Sequence, residues 1–400
     1  MISSEVHCHS AARSYATARN SSCPDPTRWL ERVSRIWLND TVGQQTGCKM
    51  GSKWVKGGCK DVKPIVFFNV GANKGFAVAS MLQHFTVDPG FTNMDWFNEI
   101  GRYVTHTYGV NPDAIERLKS EYCGACSSCH EQPSPLRHLT SSVDLDIHAF
   151  EIANGNVRWL RWAFAKFGIR ASLVRAAATN TTARVKVPLT QGIEDFGDEK
   201  GAVRPEHAKM LNHGRNADCP MCRPLKCYEE GKCWQFLQGL PLDDYLAQEG
   251  LSHVHLISID TEGHDALVLE GLRKSLAKGA VDVLEFEFNA VLGHWNYRSR
   301  DRRLLHDTVV ELENNHYGCF WQDAMGCISP VSGACWKNAF EKIGWSNLVC
   351  ARGTSSVAVR GKVKSTRSRK AGGEVDRIGG KSPLALLWEL SDECYDASIQ

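Results

Sequence analysis

The chain has 400 residues, 42% hydrophobic and 23% charged, an ordinary globular composition that excludes disorder, collagen and coiled coil for the whole. Its 47 Lys and Arg against 45 Asp and Glu leave +2 at pH 7, so no broad basic field points to a nucleic-acid or anionic-membrane partner. Its 16 cysteines are too dilute for a disulfide mini-protein, yet more than a typical cytosolic enzyme carries.

No run approaches the roughly 18–20 continuous apolar residues that span a bilayer. The first twenty residues have no apolar signal-peptide centre behind a basic end. Three Asn-x-Ser/Thr acceptor triplets begin at Asn20, Asn39 and Asn180. With the cysteines they point to the secretory lumen or the exterior rather than the cytoplasm, the targeting end lying outside this chain.

Residues 1–62 are irregular and contain Cys8, Cys23, Cys48 and Cys59; they read as a stem or cap on the core. Within them Trp29–Leu38 has helical apolar spacing, with Pro24 and Pro26 just ahead of it. Residues 63–352 read as one α/β domain. Ile65–Val70 is almost wholly apolar, as a strand buried on both faces must be, and Phe76–Phe85 after its glycine turn reads as a helix. Three more strands are predicted over Ile147–Phe150, Val254–Ile259 and Val281–Phe288, with helical patterns at Val157–Phe167 and His264–Lys278 between them. Such alternation predicts a mostly parallel sheet flanked by helices. Tyr317–Trp321 and Asn347–Ala351 are expected to pair antiparallel at one edge. Residues 353–400 form a basic, flexible-looking tail in which Leu384–Leu390 is read as a terminal helix.

Two polar segments, about 86–144 and 198–238, interrupt the alternation and read as insertions. Their seven cysteines, Cys123, Cys126, Cys129, Cys219, Cys222, Cys227 and Cys233, have spacings open to zinc ligation or to disulfides, and the acceptor triplets favour disulfides.

Chemistry concentrates at three strand ends. Asn69-Val70-Gly71-Ala72-Asn73-Lys74-Gly75 closes the first strand, where glycine lets a ligand approach the backbone and the following helix offers free N–H groups. Glu151 closes the next strand, the place from which an acid holds the ribose hydroxyls of a nucleoside. Ile259-Asp260-Thr261-Glu262-Gly263-His264 puts three titratable groups into one loop before a helix. Groups whose environments split their pKa values do acid–base work.

These three motifs, with Leu269-Glu270-Gly271 and the strand Val283–Glu287, resemble the FkbM-type methyltransferases. The resemblance implies a class I, Rossmann-like fold and S-adenosylmethionine as cofactor. It implies cofactor binding by Asn69, Gly71, Ala72, Asn73, Gly75, Glu151 and Asp260. It also implies methyl transfer to a hydroxyl of a glycan or small metabolite, with Asp260 or His264 as base and Glu262 beside them. Two residues depart from the family pattern: Asn69 stands where an aspartate is usual, and Ile152 where a proline is usual. Loss of that carboxylate leaves an alternative, a binding protein on the same fold with impaired catalysis.

Overall fold

The computed structural model describes residues 27–45, 64–85, 91–109, 145–188, 234–290, 295, 303–323, 326–342, 346–353 and 382–399. Its centre is an eight-stranded sheet of order β10-β9-β11-β8-β7-β1-β2-β3. Strands β1 (Ile65–Val70), β2 (Leu145–Phe150), β3 (Ala171–Val174), β7 (Val254–Ile259) and β8 (Val281–Phe288) run parallel. β9 (Tyr317–Gln322), β10 (Ile328–Pro330) and β11 (Ser346–Arg352) form an antiparallel edge beyond β8. The predicted α/β class holds, as does the predicted antiparallel edge. A small second sheet joins β4 (Ala177–Ala178), β6 (Trp234–Leu240) and β5 (Arg184–Pro188).

The sheet's two faces follow from alternation. Ile65 and Phe67 enter one hydrophobic cluster, whereas Val66, Phe68 and Val70 enter the other, and every residue of β1 is buried. The first face is covered by α1 (Thr27–Gln45), α2 (Phe76–Phe85), α3 (Asn93–Tyr108), α4 (Asn154–Lys166) and α9 (Pro383–Ile399). The second is covered by α5 (Leu242–Gln248), α6 (Asp265–Glu270), α7 (Arg273–Lys278) and α8 (Leu305–Asn314). The predicted N-terminal and C-terminal helices both exist. α1 drives Trp29, Leu30, Val33 and Trp37 into the core, and α9 adds Leu384, Leu387 and Leu390. Among the described residues no helix is long and apolar enough to cross a membrane.

The reading of 86–144 as a polar insertion needs correction in part. Residues 93–108 are a core helix whose Trp96, Phe97, Ile100 and Val104 are buried. Its start is set by Thr92, which accepts from the Asp95 N–H while Asp95 accepts from the Thr92 N–H, a reciprocal cap. Residues 234–238 likewise belong to β6. The seven cysteines of the two segments lie outside the described residues. Between described residues, disulfides join Cys319 to Cys350, buried neighbours on β9 and β11, and Cys327 to Cys394, which ties α9 to the edge strands.

Candidate active site

β1 has β2 on one side and β7 on the other, both parallel, so the chain leaves β1 where the strand order reverses direction. Loops beyond the carboxyl ends of such strands diverge and leave a crevice. All three motifs fall there.

The glycine loop is held in left-handed backbone at Gly71 (φ 81°), Asn73 (φ 46°) and Gly75 (φ 82°). A Cβ on Gly71 would sit 1.8 Å from the carbonyl oxygen of Asp260, so the first and third motifs meet backbone to backbone. The Asp260 N–H donates to the Val70 carbonyl at 2.8 Å, and the N–H groups of Gly71 and Ala72 donate to Phe150 at 3.0 and 2.9 Å. From above, Trp96 of α3 and Trp159 of α4 both donate their indole N–H to the Lys74 carbonyl, each at 2.8 Å. A Cβ on Gly75 would strike Leu160 and Trp96 at 2.7 and 2.8 Å. The loop is therefore clamped between the sheet and two helices.

Glu151 is buried beside it. Its Oε2 accepts the Asn73 N–H at 2.6 Å, and its Oε1 accepts the N–H groups of Ile152 and Ala153, both at 2.7 Å. Burial pushes its carboxyl above the usual carboxylate range, and the three N–H donors pull it back. The Asn156 side chain donates to it as well, so its acceptor positions are largely taken by the protein itself. Glu151 thus braces the glycine turn as well as facing the crevice, a task that its strand-end position alone does not disclose.

In the third motif Asp260 is exposed, while Glu262 and His264 are half-buried. Glu262 adopts φ 55° ahead of Gly263 at φ 90°. Among the described residues the non-glycine positions with positive φ are Asn73, Glu262 and His316. Two of the three therefore lie in the motif loops, where retained strain is a mark of function. Asp265, the first residue of α6, is wholly buried. It accepts from the Thr261 hydroxyl at 3.0 Å and from the Glu287 N–H at 3.3 Å, and so fastens the loop to β8. Burial first, and the charge of Asp260 second, push its carboxyl up to about 7.

Just beneath the crevice a polar row crosses the sheet. Asn69 stands in register with Ser258, and Ser258 with Glu285. The Ser258 hydroxyl donates to Glu285 at 3.3 Å, Gln322 donates to the other Glu285 oxygen at 3.0 Å, and Trp29 donates to Gln322 at 3.1 Å. Asn69 is 2% exposed, and its Oδ1 has no hydrogen-bond partner. A buried acceptor left open costs about 1–3 kcal/mol unless something supplies a donor.

The structure thus brings Asn69, Gly71, Ala72, Asn73, Gly75, Glu151 and Asp260 to one crevice, with Glu262 and His264 on its rim loop. Asp265, Trp96 and Trp159 complete the support and were not anticipated. For Trp96 the readable signal was Thr92-x-x-Asp95 ahead of apolar positions at helical spacing.

Residues 236–317 match the family model for the methyltransferase FkbM domain, a stretch from β6 to the start of β9 that contains the Asp260–His264 loop. No curated protein matches the chain. A crystal structure of methyltransferase FkbM from Methylobacillus flagellatus KT aligns with a TM-score of 0.33 at 10% identity, over 85% of this chain and 58% of that one. The chain therefore spans less than two thirds of that protein's length. Residues 236–317 of this chain are thus similar to the methyltransferase FkbM domain.

Proposed function

We propose that the chain is an S-adenosylmethionine-dependent methyltransferase acting on a hydroxyl of a glycan or small metabolite. The observation that carries this reading is the meeting of the glycine loop with the Asp260 loop, both strained, over an Asn69 acceptor that the protein leaves open. The residues suit the cofactor: an orphan acceptor, a backbone with no side chain at Gly71, and a buried acid at Glu151. Asn69, Gly71, Ala72, Asn73, Gly75, Glu151 and Asp260 would hold it.

When bound, S-adenosylmethionine supplies an electrophilic methyl on a sulfonium leaving group. What remains for the protein is to hold the acceptor oxygen in line with that methyl, to keep water away and to take the hydroxyl proton. Asp260 is exposed on its loop, and its charge helps to raise the Asp265 carboxyl. His264 shares its loop and has a side chain whose ordinary pKa is about 6.5, suited to a neutral-pH base. Glu262 is fixed beside them by its left-handed backbone. Asparagine at position 69 keeps a carbonyl acceptor where the family has a carboxylate, which lowers the field on a cationic ligand without removing the contact.

The test is transfer of labelled methyl from S-adenosylmethionine across a panel of glycans and small alcohols. Turnover should fall at least about 100-fold for whichever of Asp260→Ala and His264→Ala removes the base, since general-base catalysis contributes about that much. Cofactor binding with no turnover on any acceptor, unchanged in the double variant, would favour the binding-protein reading instead.

A further inference from the structure

We infer that Asn180 carries an N-linked oligosaccharide. The three acceptor triplets are not equivalent in the fold. Asn39-Asp40-Thr41 lies within helix α1. Asn20-Ser21-Ser22 lies outside the described residues. Asn180-Thr181-Thr182 sits in the connection between β4 and β5, with residues 180–183 all exposed.

That connection has the form an acceptor needs. The Thr181 hydroxyl accepts from the Ala183 N–H at 3.1 Å, a local turn that brings positions 180–183 together on the surface. The Asn180 amide donates one N–H to Glu270 at 2.7 Å. An amide has two such hydrogens, and glycosylation replaces one and keeps the other, so one N–H remains to donate. Glu270 is itself fixed by Arg303 at 2.8 Å, so the base of the glycan would rest on an ordered part of the molecule.

The compartment has independent support in disulfides such as Cys319–Cys350 and Cys327–Cys394, since such bonds persist where thiols are oxidised. In the reaction, the Asn180 Nδ2 displaces a lipid-linked diphosphate from the anomeric carbon of an oligosaccharide donor. The new N–C bond replaces the C–O bond, the lipid diphosphate leaves with the electron pair, and the lost amide proton passes to the transferase's base. The inference does not rest on the methyltransferase reading, and either can fail alone.

The test uses the full chain isolated from its own cells and digested with peptide N-glycosidase in heavy-oxygen water. Expected is a heavy-labelled aspartate at position 180 in most molecules. In the same cells, Asn180→Gln and Thr182→Ala should each lower the intact mass by one glycan, while Thr182→Ser keeps it. An unmodified Asn180, or label confined to Asn20 or Asn39, overturns the inference.

Discussion

The two ends of the parallel strands are both polar, and they are polar in different ways. At the carboxyl ends lie Asn69, Glu151, Asp260, Glu262 and Asp265, with an orphan acceptor and left-handed backbone at Asn73 and Glu262. At the amino ends lie His253, His255 and Asp282, whose ligand atoms all fall within 4.8 Å of one another, the residue types of a metal site. There, however, the protein meets its own needs. The Val66 N–H donates to His255 Nδ1 at 3.0 Å, so the ring proton of neutral His255 is on Nε2 and neither nitrogen has a lone pair for an ion. Asp282 accepts from Trp37 and lies 3.1 Å from His253 Nε2. Density of titratable groups does not distinguish the two ends, nor does strain, since His316 at the amino end also has positive φ; the open acceptor of Asn69 does.

The largest effect that bears on this contrast is steric. Gly71→Ala should destabilise by at least about 3 kcal/mol, because the new Cβ overlaps Asp260 and the backbone is left-handed. At the other end Gly250 has φ 66° and nothing within 4 Å of a built Cβ, so Gly250→Ala should cost only about 1 kcal/mol. Denaturant midpoints compare them, and equal losses would deny that the upper loops are in tight contact.

The next effect is pH dependence, which should have opposite sign at the two ends. Burial first, and His253 second, lower the His255 pKa to about 4. The unfolded chain then binds more protons, and this contribution is lost as pH falls from about 6.5 through about 4. Asp265, raised to about 7, binds its proton more tightly when folded, so its contribution is lost as pH rises from about 4 through about 7. Stability measured at pH 5 and pH 7 should therefore drop less on going up in Asp265→Asn than in the parent chain. In His255→Gln it should drop less on going down.

Smaller still is Glu262→Gly, expected to stabilise by about 0.5–1 kcal/mol through relief of the left-handed backbone, seen as a raised thermal midpoint. The smallest is zinc at the lower cluster. Added zinc or chelator should leave the thermal midpoint of the parent chain no different from that of His253→Ala, and a zinc-dependent rise lost in that variant would overturn the tautomer argument.

Much of this was legible because apolar burial writes itself into local pattern. β1 is a near-continuous apolar run, β2, β7 and β8 are apolar segments broken by single polar residues, and the antiparallel edge shows at Tyr317 and Asn347. β3 is four residues, none fully buried, and β5 is interrupted by Arg184 and Lys186, so neither offers a pattern. α3 lay unread among polar neighbours although its cap was spelled out. The site residues were legible as types at strand ends, yet their partners were not. Glu151 reaches Asn73 across 78 positions, and Cys319 meets Cys350 only through strand register. Asn69 becomes informative only when every donor around it has been accounted for.

Calorimetric titration with S-adenosylmethionine distinguishes the carboxyl-end crevice from the lower cluster as the place a ligand is held. One-to-one binding to the parent chain is expected, weakening at least tenfold in Glu151→Gln and unchanged in His253→Ala. A folded parent chain that takes up no S-adenosylmethionine, or binding that is lost in His253→Ala and kept in Glu151→Gln, would contradict it.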